Sequence, residues 1–199
     1  MIRIAVTGGI ACGKSLAASF MQQAGIPVCD ADVVAHALME PGARAYADVV
    51  AFFGDGILTV GGRIDRMVLG KVVFGDVRKL AQLNAMVHPR VKGEIDAWLS
   101  TQSAAGKSMA GAVIPLLYEA GMQAGWNVVI CIACSKANQI ARLRARGLSE
   151  ADAMARMQAQ MPVEEKARRA DIVIWNDGGP EDLALDVRRA LKAIEEKNR

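Results

Sequence analysis

Residues Gly8 to Ser15, GGIACGKS, constrain most narrowly what this chain can fold into. They fit the pattern G-x-x-x-x-G-K-[ST], and their neighbours supply the context that pattern needs. Ile2, Ile4 and Val6, with Ala5 between them, read as a short buried strand before the loop, and SLAASFMQQAG reads as a helix after it, closed by Gly25. A strand that turns through glycines into a helix N-terminus surrounds one point with backbone N–H groups and the positive end of a helix dipole. Such a point attracts phosphate. The nucleotide-binding set is therefore Gly8, Gly9, Ile10, Ala11, Cys12, Gly13, Lys14, Ser15 and Leu16. The glycines permit the turns and the close approach. Lys14 reaches the β- and γ-phosphates, and Ser15 offers a hydroxyl to Mg²⁺.

The remaining pattern builds a sheet around this loop. IPVCD, from Ile26, reads as a second strand, and DVVAHALMEPG as a helix stopped by Pro41 and Gly42. AGAVIPLLYEAG holds a third strand, NVVICIAC is a fourth and DIVIWN a fifth. The third and fourth are continuously apolar rather than alternating, as strands are when helices cover both sheet faces. The predicted fold class is α/β, a three-layer P-loop NTPase fold with a five-stranded parallel sheet. From about 43 to 100 the pattern is mostly helical, broken at FFGDGILTVGGRIDR, and reads as a helical insertion. A second helical stretch, 135–169, is crowded with arginines. PEDLALDVRRALKAIEEKNR ends the chain as an amphipathic helix with Leu183, Val187, Leu191 and Ile194 at helical spacing. With 199 residues and no repeat or linker, a single domain is expected.

Charge and composition remove several classes of partner. Lys and Arg number 24 against 21 Asp and Glu, so no general field draws the chain to nucleic acid or anionic lipid. Aromatic residues, at 5%, are too few for a base-stacking platform. MIRIAVTGG runs straight into the glycine loop, and no apolar run approaches the roughly 20 residues needed to span a bilayer. A cytoplasmic protein with no membrane partner is expected. Cys131 and Cys134 form a C-x-x-C, but in a strand i and i+3 face opposite ways, and there is no second ligand pair for zinc.

Nucleotide binding alone does not separate a kinase from a GTPase switch. A GTPase would carry N-K-x-D or a D-x-x-G after its third strand; here the third strand ends in PLLYE. A small kinase fits better, where positioning and charge neutralisation do most of the work. VCDAD, at the end of the second strand, brings Asp30 and Asp32 to the carboxyl edge of the predicted sheet, where ligands of such folds bind. Ionised at neutral pH, an Asp there accepts a hydroxyl proton or holds Mg²⁺ through water. Equally, one of them caps the next helix, a role that suits Asp30 better than Asp32.

TGGIACGKS, DADVVAH, GRIDRMVLGKVVF, LNAMVHPRV, VIPLLYE, QIARLRARGLSEADAMARMQAQMP and ADIVIWNDG follow one another in an order and spacing that resembles the dephospho-coenzyme A kinase family over nearly the whole chain. LN-x-x-x-HP together with PLL-x-E is hardly found in other small P-loop kinases. The resemblance implies ATP- and Mg²⁺-dependent phosphorylation of the ribose 3′-hydroxyl of dephospho-coenzyme A. It also implies an acceptor lobe at about 33–105 and a lid at about 136–165. Carried over by position, Asp32 is the base with Asp30 beside it, and Arg142 in the lid neutralises the transferring group. Arg63 and Asp65 from GRIDR, Asn84 and His88 from LNAMVHP, and Pro115, Leu116 and Glu119 from PLLYE shape the acceptor site. Asn176 is a candidate near the adenine.

The chain departs from that family at Ala11, where glycine is expected, and at His36, where arginine is common. If residue 11 needs positive φ, alanine costs roughly 1 kcal/mol there. His88 precedes a proline, which disfavours helix, so it also reads as a helix-start residue. The competing readings are another small-metabolite or nucleoside monophosphate kinase, and a regulatory protein that uses the loop as an ATP switch.

Overall fold

Among the described residues five strands form one sheet: β1 (Ile2–Gly8), β2 (Val28–Asp30), β3 (Met109–Val113), β4 (Val128–Ala133) and β5 (Ile172–Trp175), in the order β2-β3-β1-β4-β5. The structure is a computed structural model that describes residues 1–198, the side chain of Phe74 excepted. The sheet is all-parallel, with Val6 opposite Val113 on one side of β1 and Thr7 opposite Cys131 on the other. β1, β3 and β4 are buried along most of their length with no alternation, as their apolar runs require.

Helices follow the strands: α1 (Lys14–Gln23), α2 (Ala31–Leu38), α3 (Tyr46–Phe53), α4 (Arg66–Phe74), α5 (Val77–Ala104), α6 (Lys136–Ala145), α7 (Glu150–Gln158), α8 (Val163–Arg169) and α9 (Pro180–Lys197). No helix among the described residues is long and apolar enough to cross a membrane.

The chain divides into two compact units. One comprises Met1–Cys29 and the chain from Leu99 onward; the other is Asp30–Trp98. In the first, Ala17, Ala18 and Met21 of α1 join Leu183, Val187, Leu191 and Ile194 of α9 in one core with Ile4, Val6, Ile130 and Ile132 of the sheet. The spacing of those α9 residues puts them on one stripe, so burying it accounts for the helix. In the second unit the 3-10 turn at Asp55–Ile57 interrupts the helices, and Val49, Ile57, Leu69, Val87, Val91 and Ile95 are among its buried apolar side chains.

One local expectation changes. Helix α5 runs through His88 and Pro89 without a break rather than starting near His88. Proline removes one backbone donor inside a helix. Here Arg90, the next residue, turns its guanidinium back onto the Met86 carbonyl at 2.5 Å, and also pairs with Asp48. Side-chain bonding and packing on both sides of the proline offset a local preference for extended backbone.

Candidate active site

The loop between β1 and α1 has little choice of conformation. Gly8 has φ 141°, and a Cβ there would strike the Ile132 carbonyl of the neighbouring strand; Gly13 has φ 101°, and a Cβ would run into the Asn176 amide. Both positions need glycine on two counts. The first turn of α1 contains no acidic residue and no side chain caps it, so the amides that open the helix keep their attraction for anions.

The carbonyls of the loop are held by Lys14 of the loop itself and by three side chains from elsewhere in the same unit. Lys14 Nζ donates to Gly8 O at 3.2 Å and to Gly9 O at 2.8 Å. Gln139 Nε2 donates to Ile10 O at 2.9 Å, Arg142 Nη1 to Ala11 O at 3.3 Å, and Asn176 Nδ2 to Cys12 O at 2.8 Å. In a peptide plane the C=O and the following N–H point opposite ways. Pinning the Ile10 and Cys12 carbonyls thus orients the Ala11 and Gly13 amides that follow them before any ligand arrives, which is electrostatic preorganisation; the Cys12 amide is used within the loop, donating to Gly9 O at 3.3 Å. Arg142 Nη2 also donates to Asn176 O at 2.9 Å, and Asp177 fixes the start of α6 by accepting from Ser135 N and Asn138 Nδ2. Those two bonds hold the Asp177 carboxyl below the usual carboxylate range.

Gln139 and Asn176 are only 4% and 6% exposed. The side-chain amide of Asn176, the candidate near the adenine, donates to the loop. Asn176→Asp preserves shape but sets an acceptor against the Cys12 carbonyl. It is expected to weaken ATP binding by about tenfold or more, checked by calorimetric titration.

Ala11 has φ 60°, a positive φ that the other described residues leave to glycine. Its methyl group is buried against Leu143 of α6 and Ala153 of α7. Glycine here would relieve about 1 kcal/mol of backbone cost. It would lose about 0.8 kcal/mol of methyl burial and add chain entropy to the unfolded state. The terms nearly cancel, so Ala11→Gly is expected to change stability by less than about 1 kcal/mol in chemical denaturation.

After β3, the turn carrying Pro115, Leu116 and Glu119 is tied to α8. Lys166, with its side chain 0% exposed, donates to Pro115 O at 2.6 Å and pairs with Glu119 Oε1 at 2.8 Å. Thr7 Oγ1 donates to the same Pro115 carbonyl, and Glu119 also accepts from Met161 N at 2.9 Å. Lys166→Met would leave Glu119 without its charge partner, at a cost of about 3 kcal/mol. Guanidinium denaturation should show the loss, and adding Glu119→Gln should recover part of it.

The comparisons with known proteins agree with one another. The family model described as dephospho-CoA kinase matches residues 2–182. The chain belongs to the dephospho-CoA kinase family. A relative named dephospho-CoA kinase from Shouchella clausii is 41% identical over 191 residues, covering 96% of this chain and 97% of its own length. A solved structure of a Thermus thermophilus protein superposes with TM-score 0.81 at 36% identity, covering 98% of this chain and 97% of that one. A dephospho-CoA kinase from Campylobacter jejuni superposes with TM-score 0.73 at 28% identity, covering 99% and 98%.

In this kinase Ser15 and Leu16 stand exposed in the first turn of α1, and the remaining predicted residues lie in the Asp30–Trp98 unit. Asp30 is the N-cap of α2, accepting from Asp32 N at 2.8 Å, and Asp32 stands exposed in the first turn. Asp65 is likewise an N-cap, accepting from Met67 N and Val68 N at the start of α4. Arg63 pairs with Glu40 at 2.7 Å across two well-exposed side chains, a bond of small energetic weight. Asn84 and His88 are half-buried on adjacent turns of α5, and burial lowers the His88 imidazole below its ordinary value. His36, where the family commonly has arginine, is lowered too, first by burial and then by Arg66. It is therefore mainly neutral at pH 7 and cannot replace an arginine's charge.

Sequence reading missed Gln139 and Lys166. Gln139 had a signal, since it lies three residues before Arg142 and so on the same helix face. Lys166 had none, because nothing in its neighbours separates a buried lysine from a solvated one.

Proposed function

We infer that this kinase transfers the γ-phosphoryl group of ATP to the ribose 3′-hydroxyl of dephospho-CoA, releasing coenzyme A and ADP. The observation that carries this reading is the phosphate loop with its carbonyls pinned by Lys14, Gln139, Arg142 and Asn176, in a chain that matches the family over residues 2–182. The amides of the loop and of the first turn of α1, apart from that of Cys12, which donates to Gly9 O, take the triphosphate, with Lys14 on the β- and γ-phosphates. Ser15 and Asp32 are hard oxygen donors of the kind Mg²⁺ accepts, few in number as that ion prefers. When bound, Mg²⁺ neutralises charge on the phosphate oxygens. Asp32 accepts the proton of the attacking hydroxyl while the new P–O bond forms and the bond to ADP breaks. Asp30 holds Asp32 in place as the cap of the same helix.

The Asp30–Trp98 unit serves as the acceptor lobe, with Arg63, Asn84 and His88 as contacts and Asp65 shaping the turn. Pro115, Leu116 and Glu119 complete the acceptor side. Residues 136–165 act as the lid, and Arg142 both supports the loop and neutralises the transferring group. Work on ATP and coenzyme A suits a cytoplasmic enzyme. Incubation of the purified protein with Mg²⁺-ATP and a panel of acceptors tests the reading. Coenzyme A should form from dephospho-CoA; phosphorylation of nucleoside monophosphates alone would replace this acceptor, and ADP with free phosphate but no phosphorylated acceptor would point to a switch protein.

A further inference from the structure

We propose that Cys12 and Cys134 form an oxidation site, at which hydrogen peroxide joins the two thiols in a disulfide that distorts the phosphate loop and stops nucleotide binding. The functional consequence rests on the reading of the loop as the ATP site. The bond itself does not.

The two sulfurs are already in contact. Cys134, just past the end of β4, donates its S–H to Cys12 Sγ at 3.3 Å, and both residues are fully buried. Gln139 Nε2 donates to the same sulfur at 3.2 Å. The donated Cys134 hydrogen bond, followed by the nearby Lys14 charge, brings the Cys12 thiol down to about 7 against the opposing effect of burial. The same bond, with burial, pushes Cys134 up. The pair is thus divided between a sulfur that ionises at neutral pH and a partner that keeps its proton, the division that a nucleophilic and a resolving cysteine require.

Burial usually makes cysteines inert, so access decides the matter. Gln139 touches Cys12 Sγ and also lines a cavity of about 350 Å³ with Gly9, Ile10, Met157 and Met161. One amide side chain therefore lies between the sulfur and a space large enough for small solutes. Hydrogen peroxide, little larger than water, passes when that side chain changes rotamer.

The chemistry closes with that one oxidant. The Cys12 thiolate attacks a peroxide oxygen, the O–O bond breaks, hydroxide leaves and a sulfenic acid forms. The Cys134 sulfur then attacks the Cys12 sulfur; the S–O bond breaks, the S–S bond forms, and the departing hydroxyl leaves as water with the Cys134 proton. Two thiols give up two electrons and one peroxide becomes two waters. A disulfide is about 2.05 Å long, so the sulfurs must close by roughly 1.2 Å. The Cys12 backbone is tied to Asn176 on one side and follows the left-handed Ala11 on the other, so the shift passes to the neighbouring amides. Displacement on this scale costs on the order of 10²-fold in turnover.

Full-length protein is treated with hydrogen peroxide, quenched with catalase, unfolded in guanidinium so that every remaining thiol is exposed, alkylated, and analysed by intact mass and peptide mapping beside an untreated control. Two of the four cysteines should resist alkylation, with a cross-linked peptide joining Cys12 to Cys134. Phosphoryl transfer should fall by on the order of 10²-fold and return with dithiothreitol. Cys134→Ala should retain the parent's activity when reduced and show neither the cross-link nor dithiothreitol-reversible loss. Full alkylation after peroxide, or a cross-link between other cysteines, overturns the site. A Cys12–Cys134 cross-link that leaves ATP affinity unchanged overturns the effect on binding. Failure of the reduced protein to bind ATP would instead count against the kinase reading, which the cross-link map does not depend on.

Discussion

Asp32→Asn is expected to lower kcat by on the order of 10²- to 10⁴-fold while ATP titrates as it does with the parent. The substitution keeps size and hydrogen-bonding capacity but removes the ability to take a proton at neutral pH. Asp30 does not replace it, because its carboxylate accepts from Asp32 N as the helix cap. Both effects are separable. Removing the cap by Asp30→Ala would cost about 1 kcal/mol of stability, whereas Asp32→Asn should leave the melting midpoint nearly unchanged. Rapid-quench measurement of a single turnover with saturating ATP and dephospho-CoA reads the chemical step directly. A rate within a few-fold of the parent would remove Asp32 from the role of base.

Lys14→Ala is expected to raise the Kd for ATP and lower kcat together, with kcat/KM down by on the order of 10²- to 10³-fold. Two losses combine. The ammonium group proposed to meet the β- and γ-phosphates is gone, and the Gly8 and Gly9 carbonyls lose their side-chain donor. Lys14→Arg distinguishes them. It keeps the charge but replaces a compact ammonium by a planar fork that does not fit the same two carbonyls, so only part of the activity should return. Titration with ATP and with adenosine checks the assignment: affinity for adenosine should hardly change if the proposed partner of Lys14 is phosphate. Unaltered ATP binding in Lys14→Ala would contradict the reading of the loop.

The parallel sheet could be read from the chain because its strands are continuous apolar runs bounded by turn residues, a pattern with few alternatives. Ile2, Ile4 and Val6 before GGIACGKS, and Leu183, Val187, Leu191 and Ile194 in the last helix, report local periodicity, which survives without tertiary context. The α5 helix did not follow its local signal at His88–Pro89, because Arg90 and the surrounding packing outweigh a preference worth a few kcal/mol. Asp30 and Asp65 show the same limit from the other direction. An acid before a helix is as good a cap as a substrate contact in sequence terms, and both residues hold backbone amides here.

By itself, the sequence determined that this chain has a phosphate-binding loop at the carboxyl end of a central strand and the motifs of dephospho-CoA kinases, because loop, strand and helix signals lie within a few residues of one another. Tertiary structure decided what holds that loop in shape beyond the local Lys14. Gln139, Arg142 and Asn176 lie 129, 131 and 164 residues from the carbonyls they bind, and Cys12 meets Cys134 from 122 residues away. Such pairings depend on sheet order and on which strand ends beside β1, and no local pattern records either.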